Sequence, residues 1–314
     1  MRINGFHGNG KFYKGNFHCH TTISDGVLSP EETIRIYKSK GYDFIALTDH
    51  LIYNSLTKIG DEPMLIIPGA ELHCARFMKK FGNDKVGATH HMVCLDMGSK
   101  HPGEPFTQSE QITMIDETDG AEAFRKMIEL TKKRRVAVIY CHPDWSRIEF
   151  EDLQNMDGFM AMEIFNSESN ICGDVGGTTS YWDSLLRRGR KVFAVATDDC
   201  HQVYNMGKGW IQVKAEELTH ESIMENFLKG NFYASNGPEI HDFYIEDGNL
   251  HVECSPCRKI HMVQFPQNGK TAYNEDDSLI SSAVIPVSPV PPKYIRIVCE
   301  DAEGHRAWSN PIFL

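Results

Sequence analysis

The chain has 314 residues, with 43 Asp and Glu against 32 Lys and Arg, so its net charge is −11 with histidine neutral. That length can bury a barrel-sized core with a smaller companion, and the acidic balance argues against long nucleic acid, whose phosphates need Lys and Arg. No apolar run reaches the roughly 20 residues that span a bilayer, and Met1-Arg2-Ile3-Asn4-Gly5 lacks the apolar stretch of a secretion signal. No membrane partner and a cytoplasmic location are therefore expected. Nine scattered cysteines fit reduced thiols. Cys254-Ser255-Pro256-Cys257 has no second such pair to complete a zinc cage and is read as incidental.

Taken in chain order, β-rich apolar runs occur at 16–20, 43–49, 64–71, 91–96, 136–142, 161–166, 191–197 and 209–214. Helix signals fall between them. Ser29 caps a segment with Pro30 first and Glu32 completing a capping box, and Gly41 closes it. Asp119 with Glu122 opens a second helix running to about Arg134, and Thr219 to Gly230 brackets a third. This alternation predicts an α/β fold of parallel strands with helical crossovers. Runs such as Val136-Ala137-Val138-Ile139-Tyr140 belong to a sheet covered on both faces. Near Gly237-Pro238 the pattern changes to alternating strands and turns, with a hairpin signal at Asp247-Gly248-Asn249. We therefore expect a unit over 1–237 and a small β-sandwich-like, all-β module over 238–314.

Three clusters follow predicted strands: His18-Cys19-His20 with Ser24-Asp25-Gly26, Thr48-Asp49-His50, and Asp199-Cys200-His201. Residues two apart on a strand share a face, so His18 points with His20 and Asp199 with His201. Cys19 and Cys200 turn away as small core groups. Imidazoles and carboxylates gathered in this way suit a metal centre, whereas any one of them alone is more ordinarily a hydrogen-bonded core residue. Glu71 and His142 end further strands and His91 begins one, with His90 beside it as the alternative. Singly, Glu71 also reads as a solvated acid and His142 as a capping or core residue.

With these motifs in place, the chain resembles the PHP superfamily, named for polymerase and histidinol phosphatase domains. The motifs that carry the likeness lie between 16 and 201. The resemblance implies a distorted (βα)7 TIM-like barrel holding three divalent ions of zinc, manganese or iron. It places one ion at His18, His20, Glu71 and Asp199, a second at Glu71, His91 and His142, and a third at Asp25, His50 and His201. Such a pocket is strongly positive, attracts phosphate, and supplies hydroxide near neutral pH for attack on phosphorus. The resemblance thus implies a phosphoesterase acting on a small phosphorylated metabolite, nucleotide or short oligonucleotide.

Around that site, Asp49 and Asp198 have the opposite strand parity and suit orientation of imidazoles rather than ligation, or plain capping. Asp144 after Pro143 could protonate a leaving group or simply form a turn. Arg76, with Lys79 and Lys80, could reach phosphate or be solvated. Asn166 lies in the segment Glu163 to Ser167, which ends another strand; the resemblance suggests that this segment lines the pocket, and the Glu163 acid equally reads as a satisfied structural group. The C-terminal stretch through Trp308 is similar to that of a PHP subgroup named after a carbamate hydrolase. Carboxyl-ester or carbamate hydrolysis is accordingly the alternative reaction, and a non-catalytic, metal-stabilised binding protein the alternative class. A homo-oligomer is left open.

Overall fold

The computed structural model describes residues 2–59, 64–78, 85–105, 110–111, 115–117 and 120–314, with side chains described outside 75–88 and 106–121. Its first half contains β1 (Ile3–Asn4), β2 (Lys11–Asn16), α1 (Pro30–Ser39), β3 (Phe44–Leu47), β4 (Ile52–Tyr53), β5 (Leu65–Met78), β6 (Lys85–Asp96), β7 (Glu110–Gln111), β8 (Ile115–Glu117), α2 (Gly120–Thr131) and β9 (Val136–Tyr140). There follow α3 (Phe150–Leu153), β10 (Ala161–Asn166), α4 (Ser167–Gly173), α5 (Ser180–Arg187), β11 (Phe193–Thr197), β12 (Trp210–Ala215), α6 (His220–Leu228) and β13 (Phe232–Ser235). Local chemistry explains the helix ends. Ser29 Oγ accepts from the Glu32 amide and the Glu32 carboxylate from the Ser29 amide, forming the expected capping box. Thr219 caps α6 through the Ser222 amide, and Gly230 beyond its end takes a φ of 74°. Of the second expected helix, Asp119 lies outside the described residues.

Strand order β11-β10-β9-β6-β5-β3-β2 forms one continuous run. Its two ends approach each other, because Cys19 beyond β2 pairs with Cys200 beyond β11. The His20 amide donates to the Cys200 carbonyl at 2.9 Å and the Asp199 amide to the His18 carbonyl at 3.0 Å. Two distant histidine motifs are thereby laid side by side. The expectation of parallel strands with helical crossovers fails at β12, which is antiparallel to β2, and at β6. β6 is antiparallel to both β5 and β9, and β5 and β6, consecutive among the described strands, pair along most of their lengths from Gly69 with Leu95 to Met78 with Lys85. With 39% strand and 18% helix, the chain is richer in strand than repeated βα units would make it.

The strands of this run are apolar on both faces, as expected. One face carries Phe44, Ile67, Val93, Ile139 and Val195 against Phe227 of α6. The other packs Leu72, Met92, Tyr140 and Met162 against α2 and α5 through Phe124 and Trp182. Each such side chain contributes about 1.5–3 kcal/mol when fully buried, so the frame behind the site is held by packing and not by the polar cluster itself.

Beyond residue 238 the described elements are all strands: β14 (Ile240–Glu246), β15 (Asn249–Cys257), β16 (Lys259–Phe265), β17 (Lys270–Ala272), β18 (Ile280–Pro286), β19 (Tyr294–Glu300), β20 (Arg306–Ser309) and β21 (Ile312–Phe313). Asp247 and Gly248, at φ 49° and 78°, make the hairpin turn between β14 and β15. β1, β14, β15 and β18 form one sheet, while β20, β19, β16 and β17 extend the large sheet past β13. A core of Phe243, Leu250, Val252, Ile260, Ile295 and Ile297 lies between them. Hydrogen bonding therefore crosses residue 238 without interruption, from Tyr233, Ala234 and Ser235 to Ser309, Trp308 and Ala307. Arg296 adds a buried pair with Asp183 of α5 at 2.8 and 3.0 Å. Trp308 is buried and stacks on Phe165 of β10 at 6.4 Å. Among the described residues, no helix is long and apolar enough to cross a membrane.

Candidate metal centre

All nine sequence candidates for metal binding meet in one place. Beyond the end of β2, His18 and His20 direct their Nε2 atoms at one point, 3.2 Å apart, while Cys19 packs into the core with Ile34 and Tyr37 of α1. Strand parity predicted this split. Glu71 Oε2 lies 3.3 Å from His18 Nε2 and 3.2 Å from His20 Nε2. Asp199 Oδ1 lies 3.2 and 3.1 Å from the same two atoms. Four ligands on a tetrahedron about an ion at roughly 2.0–2.1 Å stand about 3.3 Å apart, so these separations fit a cation in their midst. A second observation agrees. Glu71 Oε2 is buried and makes no hydrogen bond, although His50 Nδ1 is a further nitrogen only 2.9 Å away.

Glu71 serves a second group through its other oxygen. His91 Nδ1 is 2.8 Å from Oε1, and His142 Nε2 is 3.5 Å from it. The choice between adjacent histidines is settled by the register of β6 on β5, which sets His91 opposite His73 on the Glu71 face: His91 faces the pocket, whereas His90 turns to the Tyr140 hydroxyl at 2.8 Å. Because β6 runs antiparallel, a residue near the start of its inner half arrives beside strands that deliver residues from their carboxyl ends. A third group gathers on Asp25, with His201 Nε2 at 3.5 Å, His50 Nε2 at 3.6 Å and His20 Nδ1 at 3.6 Å. Asp199 has a φ of 51°, so the strand has already ended where this motif turns inward.

The pocket's side chains form an interlocked set of acids and imidazoles. Burial works against ionisation of Glu71 and Asp199, yet neighbouring imidazoles, His18 foremost, hold both carboxyls well below their usual range. Burial likewise works against a charged His18, and Asp199, Glu71 and Glu163 reverse it, leaving its pKa well raised. For His91, burial prevails and lowers it to about 4. Mixed imidazole and carboxylate donors with this much buried negative charge suit divalent ions.

Several supporting residues take the structural one of the two roles the sequence left open. Glu163 is the main one: Oε1 accepts from His18 Nδ1 and Thr197 Oγ1, each at 2.7 Å, and Oε2 from the His142 amide and Asn166 Nδ2, each at 2.9 Å. A proton held at His18 Nδ1 leaves the Nε2 lone pair facing the pocket. Ser146 stands 3.0 Å from His142 Nδ1 in the same way. Among the described residues, the hydrogen bonds of Asp49 and Asp198 go to amides and hydroxyls. Asp49 instead gathers the amides and hydroxyls of Thr21 and Ser24, fixing the loop that carries Asp25. Asp198 takes the amides of Gly207, Lys208 and Gly209 and the Tyr37 hydroxyl.

Asn166, expected to meet substrate, is 1% exposed. Its amide is committed to Glu163, to Asp199 Oδ2 at 3.1 Å and to the Ser169 amide at the start of α4. It joins two parts of the frame, and a bulge between Glu163 and Phe165 is what brings both side chains to one side. The Arg76 side chain, Lys79 and Lys80 lie outside the described residues. Asp144 is half-buried, with its carboxyl raised to about 6 by burial, and is not among the residues lining the cavity. His73 was missed altogether. It lies two residues after Glu71, 3.3 Å from His50 Nδ1 and stacked on His91 at 5.2 Å, so strand parity alone could have pointed to it.

The groups open into a cavity of about 390 Å³ whose mouth includes Trp145, Glu168, Gln202 and Tyr204. Trp145 stands edge-on to His142 and His91 at 5.0 and 5.8 Å. Its 44% exposure, with 56% for Tyr204, leaves two aromatic faces available at the entrance.

No family model matches the chain, and no curated protein matches its sequence. Among solved structures, it is similar to a two-domain protein of Bacteroides vulgatus containing a predicted PHP-like metal-dependent phosphoesterase, at 14% identity over 99% of this chain and 95% of that one, with a TM-score of 0.47. PsfC from Pseudomonas syringae shares 11% identity over 69% of this chain and 88% of its own, with a TM-score of 0.42. An amidohydrolase from Chromobacterium violaceum, solved with bound sulfate and no metal, shares 14% identity over 69% and 96%, with a TM-score of 0.41.

Proposed function

We propose that the chain is a metal-dependent hydrolase of the PHP kind that cleaves a phosphoric ester of a small phosphorylated metabolite, nucleotide or short oligonucleotide. The quartet His18, His20, Glu71 and Asp199 carries this reading, because its buried donor atoms sit 3.1–3.3 Å apart around a position where Glu71 Oε2 finds no hydrogen bond. Divalent zinc, manganese or iron ions would be held by this quartet, by Glu71 with His91 and His142, and by Asp25 with His50 and His201. When bound, such ions supply Lewis-acid charge at a phosphoryl oxygen and acidify water near neutral pH.

The chain's own residues do the positioning. Glu163 keeps a proton at His18 Nδ1, Ser146 is placed to do so at His142 Nδ1, and Asp49 holds the Asp25 loop in register. Trp145 and Tyr204 offer aromatic faces to the organic part of a substrate whose anionic end enters the pocket. All nine candidate donors come from one chain, so this site calls for no second subunit. In this reading residues 1–237 are the hydrolase unit and 238–314 a β module that braces it.

The test is hydrolysis of aryl phosphate mono- and diesters and of an aryl carboxyl ester by protein reloaded with manganese or zinc, beside the His20→Ala variant. Turnover selective for phosphate and lost in the variant is the expected result. Turnover confined to the carboxyl ester overturns the phosphate assignment in favour of carbamate or ester hydrolysis. Tight metal binding with no turnover of any ester leaves a metal-stabilised binding protein.

A further inference from the structure

The C-terminal β-sandwich holds a second, chemically different cluster. Cys254 and Cys257 on β15 and Cys299 on β19 place their sulfurs within 4.8 Å of one another, and the three are at most 3% exposed. The spacing makes this convergence unexpected. Along β15, Leu250, Val252 and Cys254 face the core by strict alternation, so Cys257, an odd number of residues further on, belongs on the opposite face. Pairing with β18 slips between Glu253 and Cys257, and this irregularity turns Cys257 back inward. Cys299 meets them from the other sheet, opposite Ile260 of β16. The register change therefore aims a third thiol at two others rather than filling the core with an ordinary aliphatic side chain.

Among the described residues the group consists of three sulfurs, joined by no imidazole or carboxylate. Structural zinc almost always takes four ligands, whereas soft thiolates suit Cu(I) as well as zinc, so a set of three sulfurs favours the ion that needs fewer ligands. Sulfurs at about 2.3 Å from a planar three-coordinate ion stand about 4 Å apart, within the 4.8 Å that bounds their separations here. We propose that Cys254, Cys257 and Cys299 form a three-sulfur site for a thiophilic monovalent ion, Cu(I) in preference to Zn(II), that ties the two sheets of the β-sandwich together. Binding exchanges the thiol protons for one ion and releases them to solvent, with no change of oxidation state.

The experiment uses the full chain, reduced and stripped of metal, titrated anaerobically with Cu(I) against a chromophoric chelator, with Zn(II) in parallel. Sulfur-to-copper absorption and X-ray absorption separate this site from the histidine cluster. One Cu(I) per chain with three sulfur neighbours is expected, weakened more than about 100-fold in Cys299→Ser, beyond the loss typical of an outer-shell partner, and unaffected in Cys172→Ser. In the unsubstituted chain, the ion should slow alkylation of these three thiols, mapped by mass spectrometry, and not that of exposed Cys172. This readout stands even where Cys299→Ser fails to fold. Sulfur-bound copper retained in Cys299→Ser, no sulfur-bound copper at one equivalent, or a disulfide among these residues that persists in reductant overturns the proposal.

Discussion

Replacing Glu163 by Gln isolates the role of one carboxylate without changing its shape. In the parent, four donors converge on it: His18 Nδ1 and Thr197 Oγ1 on one oxygen, the His142 amide and Asn166 Nδ2 on the other. A glutamine amide can accept on only one of these two edges, so its NH₂ must face a pair of donors. The Thr197 hydroxyl can rotate to accept, and His18 can accept at Nδ1 by moving its proton to Nε2; the His142 amide has no such freedom. The NH₂ is thus expected to face His18, which removes the Nε2 lone pair from the pocket. Loss of an orienting partner of this type costs 10–100-fold in metal affinity, or about 1.4–2.8 kcal/mol. Competition with a chelator of known affinity measures it, with thermal unfolding of the metal-free protein as the control for folding. An affinity within about threefold of the parent, in a variant that still unfolds cooperatively, would refute the idea that Glu163 sets the His18 tautomer.

Other expectations address charge, frame and entrance. In the metal-free protein, burial pulls His201 down, but its hydrogen bond to Asp25 and the charges of Asp199 and Asp25 carry it up to about 9. Since the unfolded value is about 6.5, the stability it lends is complete below about pH 6.5 and is lost as pH rises through about 9. Melting temperature in chelator should fall across that window while apparent metal affinity rises, as the ion no longer competes with a proton; a flat melting profile contradicts this. Asp183→Ala strands the Arg296 guanidinium, 2% exposed over Trp182, and should cost about 3–5 kcal/mol in urea unfolding with metal affinity unchanged. Adding Arg296→Met should restore most of the loss. Trp145→Ala should raise KM for an aryl phosphate about 2–10-fold, the worth of one aromatic contact, with kcat and melting temperature nearly unchanged; an equal fall in kcat would place Trp145 in the chemistry instead.

Much of the centre is legible in the sequence because it is built from short-range rules. Two-residue parity puts His18 with His20 and buries Cys19, capping chemistry bounds α1 and α6, and apolar runs locate the strands that carry each motif. Those rules act over a few residues and hold wherever the backbone is regular. They fail where it is not: the bulge in β10 swings Glu163 and Asn166 onto one side, the left-handed turn at Asp199 replaces strand parity, and the slip in β15 turns Cys257 inward.

The sequence by itself determined which side chains could bind metal and which strands would offer them, since ligand chemistry and alternation are local properties, but Glu71 and His91, expected at strand ends, lie inside β5 and β6, because the pairing of these two strands carries both past the apolar runs. Only the tertiary structure decided that β6 runs against its neighbours in the register that sets His91 opposite His73, so that His91 rather than His90 meets Glu71, and that Cys19 pairs with Cys200, laying two distant motifs against each other. Strand direction and pairing partner depend on the packing energy of whole faces and on loop closure across the chain, quantities that no short window of residues contains.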